Sequence, residues 1–255
     1  MIVGKPAERR GYDKDPDLMS KSQFMSLSRK KCTMPYYYRY ELGIEYTNDL
    51  AEKGTHIHSL VEETFDNFKN YPFRVGVDKL EDWLPEHDKY YVPYMNNFMR
   101  IYCRMTGGKF NITPTYQEVV ARRYHEIGTL DSVWDLECGA RAVIDTKSGK
   151  FKDNLANIRI ETAFYARMID AEYIGALFLG ESEKYPQGGF FFEKVSPRLW
   201  KSLDEHIQKA WEIRKTGAFE RVPTPLCKWC DYKKECRADC SKSEWRKVKK
   251  MEKML

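Results

Sequence analysis

The fold is decided by two segments, Gly128-Thr129-Leu130-Asp131 and Ala142-Val143-Ile144-Asp145-Thr146-Lys147. Each contains a short apolar run that ends in an acid, and runs of this length and composition predict β-strands. Side chains two residues apart on a strand point to the same face of a sheet. Asp145 and Lys147 therefore share a face, and Asp131 on a partner strand can join them.

Two acids and a lysine at one edge of a sheet can form a hydrolytic metal site. Carboxylate oxygens bind a hard cation such as Mg²⁺. A lysine can orient the attacking water or stabilise negative charge that develops on a phosphate. The alternative is a chance combination, because Asp and Lys are common residues. The rest of the chain has to decide between the two.

The hydrophobic pattern predicts an α/β fold with a mixed central sheet flanked by helices. Helices are expected over about residues 20–31, 52–69, 75–84, 85–105, 154–171 and 196–215, and strands over 117–124, 128–136, 141–147, 173–179 and 188–195. Cys138-Gly139-Ala140 is the predicted turn of a hairpin formed by the second and third strands. Helices followed by three strands, a helix, two strands and a helix are typical of a mixed sheet.

The domain prediction is one single domain over residues 20–240, after an extended lead-in over 1–19 and before a basic tail over 241–255. Within the domain we expect a helical part over 20–110, a sheet core over 111–195, and a helix with a cysteine segment over 196–240. A chain of 255 residues is long enough to bury a full core.

Composition favours a protein that stays in the cytoplasm. No apolar run approaches the roughly 20 residues of a membrane span, and the first residues lack the apolar stretch of a signal peptide. The formal net charge of +5 is concentrated in two places, Arg29-Lys30-Lys31 and the segment after Ser241. Basic clusters suit a polyanion such as nucleic acid. A solvated helix face is the alternative for each cluster.

His58 is the candidate metal ligand of the predicted helix over 52–69. His58 and Glu62 are four residues apart and therefore share one face of that helix. His56 lies roughly 200° around the helix axis from His58, so both cannot serve one ion. A structural hydrogen-bonding histidine is the alternative.

The cysteines near the C-terminus form a second candidate site. Cys227, Cys230 and Cys236 follow the pattern C-x₂-C-x₅-C, which in a protein without an export signal indicates a metal or cluster site. A fourth ligand is needed. Cys240 would complete a local zinc site, whereas Cys32 would connect the N-terminal helix to the C-terminal segment.

Taken together, these motifs resemble the RecB-type branch of the PD-(D/E)XK nuclease superfamily. The resemblance is greatest to its iron–sulfur members, which include CRISPR-associated RecB-like exonucleases, the AddB nuclease domain and phage homologues. The matching motifs run in family order: Ser22-Gln23-Phe24 through Cys32-Thr33-Met34-Pro35-Tyr36, Gly54 to His58 as "G-x-x-x-H", Gly128 to Asp131 as "G-x-x-D", Ile144 to Lys147 as "D-x-K", Glu161 to Tyr165 as "Q-x-x-x-Y", and the three cysteines Cys227, Cys230 and Cys236.

The resemblance implies a restriction-endonuclease-like core and a set of functional residues. His58, Asp131, Asp145 and the Thr146 carbonyl would bind Mg²⁺ or Mn²⁺. The implied catalytic residues are Asp131, Asp145, Lys147, Glu161 and Tyr165, with Lys147 acting on the water and Tyr165 and Glu161 orienting DNA or the lysine. The implied ligands of a 4Fe–4S cluster are Cys32, Cys227, Cys230 and Cys236.

The implied activity is that of a metal-dependent DNA nuclease, an exonuclease on single strands or ends, with DNA and a recombination or replication protein as partners. Two positions depart from the family pattern. Thr33 follows Cys32 where proline is usual, and Glu161 replaces the usual glutamine. Glu161 leaves a second hypothesis open, a DNA-binding or replication-accessory protein with weak or lost catalytic activity. Cys240 keeps structural Zn²⁺ open as the alternative to iron–sulfur.

Overall fold

The computed structural model describes residues 2–4, 15–28, 32–46, 49–70, 86–109, 112–152 and 154–253. The helix expected over 75–84 and the basic residues 29–31 lie outside this part of the chain. The chain divides into two compact units, Met1–Arg10 with Asn48–Trp200 and Gly11–Thr47 with Lys201–Leu255. The domain bounds proposed from the sequence stay a prediction.

The described strands are β1 (Ile2–Gly4), β2 (Met19–Ser20), β3 (Tyr116–Arg123), β4 (Glu126–Asp135), β5 (Arg141–Lys150), β6 (Tyr173–Gly180) and β7 (Gly189–Lys194). The sequence predicts β3 to β7 to within about three residues, but it does not predict β1 and β2. In the first unit β1, β3, β4, β5, β6 and β7 lie side by side in this order. β5 and β6 are parallel, and the other neighbours are antiparallel. The sheet is therefore mixed.

The described α-helices are α1 (Lys21–Ser28), α2 (Met34–Tyr36), α3 (Asp49–Asn70), α4 (Val92–Thr106), α5 (Ala156–Ile169), α6 (Pro197–Thr216), α7 (Lys233–Asp239) and α8 (Lys242–Glu252). The sequence predicts a helix where α1, α3, α4, α5 and α6 lie, although Glu86–Tyr91 form a 3₁₀ helix before α4. It does not predict α2, α7 or α8. The segment named as a basic tail forms α8, whose start is fixed by a capping box between Ser241 and Glu244. The predicted α/β fold with a mixed central sheet flanked by helices is confirmed.

Helices cover both faces of the sheet in the first unit. Along β6 the side chains alternate, as the period of a strand requires. Leu177 and Leu179 belong to a core with the apolar faces of α3 and α4, whereas Ala176 and Phe178 pack with Leu155 at the start of α5. Because both faces are buried, β6 is apolar along nearly its whole length.

The hairpin of β4 and β5 forms as predicted. Leu136 N donates to Ala140 O at 2.8 Å, and Gly139 N donates to Leu136 O at 2.8 Å. Gly139 has a φ of 80°, which glycine adopts without a steric cost. The strands pair with Ser132 opposite Ile144. This register, continued by one residue, places Asp131 opposite Asp145.

The second unit joins residues from both ends of the chain. Thr33 N donates to Glu220 O at 3.0 Å, and Glu220 N donates to Thr33 Oγ1 at 2.7 Å. Aromatic rings extend the contact, since Tyr36 stacks on Phe219 with ring centroids 5.5 Å apart. Thr33, a departure from the family pattern, therefore attaches the segment after Cys32 to residues near the C-terminal cysteines.

Within the part of the chain that the structure describes, no helix is both long and apolar enough to cross a membrane.

Candidate active site

The two predicted acids lie at the point where the paired register of β4 and β5 ends. Asp131 Oδ2 accepts a hydrogen bond of 2.6 Å from the backbone N–H of Thr146. Asp145 is only 3% exposed. The register of β4 and β5 therefore sets Asp131 beside Asp145 on neighbouring strands, as the sequence predicts.

His58 reaches the same place from α3. Its Nδ1 lies 3.5 Å from Asp131 Oδ2 and also 3.5 Å from Glu118 Oε1. Of the described residues, His58, Glu118 and Asp131 form a group whose ligand atoms all lie within 4.8 Å of one another. They line a cavity of about 10 Å³ together with Thr146, which is room for about one water molecule or ion.

Glu118 is the residue that sequence reasoning missed. It lies on β3 between Gln117, which pairs with Ser132, and Val119, which pairs with Leu130. This register sets Glu118 opposite Asp131. The sequence predicts both β3 and β4, but it does not give the register between them. Without that register, Glu118 could not be placed beside Asp131.

Lys147 lies between two carboxylates. Its Nζ is 2.7 Å from Asp145 Oδ2 and 2.8 Å from Glu161 Oε1 on α5. The contact with Asp145 is an ion pair that reaches a buried carboxylate oxygen.

Tyr165 packs against the strand that carries Asp131. A Cβ added at Gly128 would lie 2.7 Å from Cε1 of the Tyr165 ring, so glycine is needed for this close approach. Burial raises the pKa of Tyr165 well above its usual value, and the charges of Asp145, Asp131 and Glu161 raise it further. The hydroxyl therefore stays protonated.

The pKa values of Asp131 and His58 are both raised, which indicates that negative charge is concentrated at this site. Burial raises the pKa of Asp131, the neighbouring charge of Asp145 raises it further, and it stands at about 7. Burial alone would lower the pKa of His58, but the hydrogen bond to Glu118 and the charges of Asp131 and Asp145 raise it to about 9. Both shifts mean that the site favours an added positive charge.

The donor set fits a divalent cation. It contains carboxylates and one imidazole, which are the ligands that Mg²⁺ and Mn²⁺ take in proteins. One ligand atom from each of His58, Glu118 and Asp131 lies within 4.8 Å of the others, an arrangement that one cation could hold together. A cation would also offset the charge that raises the pKa of Asp131.

The predicted cluster cysteines lie together in the second unit. Cys32, Cys227, Cys230 and Cys236 all line one cavity of about 30 Å³. Cys240 is buried outside that lining, with its Sγ 3.8 Å from the Arg237 carbonyl.

A backbone hydrogen bond and nearby residues affect the thiols that line this cavity. The backbone N–H of Thr224 donates to the sulfur of Cys227 at 3.4 Å. Burial raises the pKa of Cys230 and the pKa of Cys236. The charge of Arg221 offsets part of the rise at Cys236. Soft thiols around one cavity fit zinc or an iron–sulfur cluster and not a hard cation.

Comparison with known proteins places the fold. A family model described as "PD-(D/E)XK nuclease superfamily" matches residues 28–237. The chain is also similar to a crystal structure of a protein from Eubacterium rectale that is predicted to be an exonuclease, with a TM-score of 0.53 and 14% identity over 94% of each chain. LHK-Exo in complex with dAMP aligns with a TM-score of 0.45 and 10% identity, over 82% of this chain and 93% of that one. No curated protein matches the sequence.

Proposed function

The chain belongs to the PD-(D/E)XK nuclease superfamily, and on this premise we propose that it is a metal-dependent deoxyribonuclease that removes nucleotides from single strands or DNA ends. The observation that carries the proposal is the convergence of Asp131 and His58 on one small cavity, next to the Asp145–Lys147 ion pair. Acids, an imidazole and a lysine in this arrangement suit hydrolysis of a phosphodiester.

In this proposal His58, Asp131, Asp145 and the carbonyl of Thr146 would hold Mg²⁺ or Mn²⁺. When bound, the cation supplies a Lewis acid that stabilises charge on the scissile phosphate and lowers the pKa of water. The hydrogen bond from Thr146 N fixes the Asp131 carboxylate, so its free lone pairs keep one direction. The raised pKa values of Asp131 and His58 report the negative potential that a cation would offset, and both groups would release their protons when it binds.

Lys147 is the proposed donor to the attacking water and to the phosphate. The carboxylates of Asp145 and Glu161 contact its Nζ at 2.7 and 2.8 Å and hold it in one position. Because the ammonium group of Lys147 is already in position, no reorganisation energy is needed when negative charge develops on the phosphate. Tyr165 stays protonated and can donate a hydrogen bond to DNA or to an acid of the site.

Exonuclease activity is the finer part of the proposal. The Eubacterium rectale protein, which has the same fold, is itself predicted to be an exonuclease. The test is the purified chain with Mn²⁺ on labelled linear single- and double-stranded DNA with defined 5′ and 3′ ends, and on covalently closed circles. An exonuclease degrades the linear substrates and leaves the circles intact, whereas nicked or opened circles would contradict this part.

We also propose that the chain belongs to the RecB-like iron–sulfur branch and carries a 4Fe–4S cluster on Cys32, Cys227, Cys230 and Cys236. The support is the cavity that these four cysteines line and that Cys240 does not line. A structural Zn²⁺ bound with Cys240 is the alternative. Thr33, where the family has proline, supports the Cys32 assignment through its two hydrogen bonds with Glu220.

A second candidate function is a DNA-binding or replication-accessory protein with weak or lost activity. The Lys147–Glu161 ion pair favours it, because a lysine held by two carboxylates is less available to water than one beside a neutral glutamine. Retained DNA binding without cleavage of any substrate in Mn²⁺ or Mg²⁺ would select this candidate over the nuclease.

A further inference from the structure

Glu118 has a strained backbone in the middle of a strand. Its φ angle is 42°, in the left-handed region that side-chain-bearing residues rarely adopt. The pairing of β3 with β4 is in register on both sides, with Gln117 opposite Ser132 and Val119 opposite Leu130. No residue is inserted, so the distortion is confined to Glu118 and is not a β-bulge.

The distortion lies at the candidate active site and not at a turn. Two further described residues with side chains have a positive φ, namely Tyr124 in the turn between β3 and β4 and Asp170 at the end of α5. Turns and helix ends commonly use that conformation. Mid-strand strain persists only where the surrounding structure maintains it, and it clusters at functional sites.

The strained residue directs its carboxylate at the atoms that are candidates to bind a cation. Oε1 of Glu118 lies 3.5 Å from Nδ1 of His58. It lines the small cavity together with His58, Asp131 and Thr146. We propose that Glu118 is a direct ligand of the divalent cation at this site, an inference that rests on the proposed nuclease function.

The geometry separates this role from that of an acid that only orients the histidine. An orienting carboxylate contacts the ring nitrogen that the metal does not use. Here the same nitrogen of His58, Nδ1, lies 3.5 Å from both Glu118 and Asp131. Because one ligand atom from each of the three residues lies within 4.8 Å of the others, Glu118 and Asp131 face the same volume as that nitrogen.

The test is calorimetric titration of the purified, metal-free full chain with Mn²⁺. Glu118→Gln keeps the shape and a hydrogen-bond acceptor for His58 but removes the charged ligand. Glu118→Gly also removes the ligand, and it relieves the strained φ. We expect both variants to bind Mn²⁺ at least about tenfold more weakly, and Glu118→Gly to melt about 2 °C higher than the parent without metal.

Two matched controls separate the ligand from general effects. Glu137→Gln removes one carboxylate charge in the exposed turn of the β4–β5 hairpin. Tyr124→Gly replaces a residue whose backbone also adopts the left-handed conformation, in the turn that follows β3. Both should bind Mn²⁺ within about twofold of the parent protein, since additive effects are expected for distant sites.

The outcomes test the ligand role of Glu118 and the proposed nuclease function independently. If the parent binds Mn²⁺ and cleaves DNA while Glu118→Gln and Glu118→Gly bind Mn²⁺ as tightly as the parent, only the ligand role of Glu118 is overturned. Normal Mn²⁺ binding with lost cleavage in these variants overturns it as well. A parent that binds Mn²⁺ and DNA but cleaves nothing contradicts the nuclease, whereas weakened Mn²⁺ binding in both Glu118 variants would still support the ligand. A parent that binds no Mn²⁺ overturns both.

Discussion

At the scale of single residues, Glu161 distinguishes this candidate active site from the pattern that its motifs resemble. The RecB-like pattern that the motifs resemble has glutamine at this position, and here a carboxylate on α5 forms an ion pair of 2.8 Å with Lys147. With Asp145 on the other side, the lysine Nζ is held by two acids. In the proposed nuclease, Glu161 would therefore act on the reaction through the position of Lys147.

Two substitutions of Glu161 test this role. Glu161→Gln keeps a hydrogen-bond acceptor and removes the competing charge, so we expect single-turnover cleavage within about threefold of the parent rate. Glu161→Ala removes the support altogether and should lower the rate by about tenfold, because a group that is not held in place contributes less. Equal rates in the two variants would show that Glu161 does not position the lysine.

At the scale of elements, the site depends on how closely α5 packs on β4. Gly128 allows the Tyr165 ring to lie against the strand, since an added Cβ would come within 2.7 Å of Cε1 and 3.1 Å of the Met168 methyl carbon. The "G-x-x-D" motif thus has a physical reason. Its glycine allows the helix that carries Glu161 and Tyr165 to approach the strand that carries Asp131.

Gly128→Ala should therefore destabilise the protein. Overpacking of a close contact costs about 1–3 kcal/mol, which we expect to appear in denaturant unfolding followed by circular dichroism. Gly149→Ala on β5 is the matched control, because nothing lies within 4 Å of its added Cβ, and its effect should stay within about 0.5 kcal/mol. Equal stability of the two variants would contradict the packing argument.

The elements were predictable from local sequence, but the contacts between them were not. Alternating apolar residues and the Gly139 turn predict the β4–β5 hairpin, and Asp145 and Lys147 follow from the period of a strand. Glu118 requires the register of β3 against β4, which the sequence leaves open. The Lys147–Glu161 pair requires the position of α5 on the sheet. Tertiary pairing, and not propensity, determines both.

At the scale of the whole molecule, residues far apart in sequence build each candidate site. Cys32 and the C-terminal cysteines lie about 200 positions apart and still line one cavity. Spacing alone predicts the local triplet Cys227, Cys230 and Cys236, and the choice between Cys32 and Cys240 needs the fold. The backbone pairing of Thr33 with Glu220 shows how the chain brings Cys32 into place.

Replacement of the two candidate fourth ligands should identify the cofactor. After anaerobic purification we expect the parent and Cys240→Ala to contain iron and sulfide and to show a broad visible absorbance, because Cys240 lies outside the cavity lining. Cys32→Ala should lose iron, colour and thermal stability, since ligand binding stabilises the fold. A colourless parent with one equivalent of zinc, lost in Cys240→Ala, would establish the zinc alternative.

Asp145 and Lys147 are the residues that we propose for phosphodiester hydrolysis, and single-turnover cleavage of end-labelled DNA in Mn²⁺ measures their contribution. Asp145→Asn and Lys147→Met should each lower the rate by at least about a hundredfold, with the thermal melt confirming that the variants fold. Lys150→Met, an exposed lysine on the same strand, should stay within about twofold of the parent. Cleavage at the parent rate by Lys147→Met would contradict this proposal.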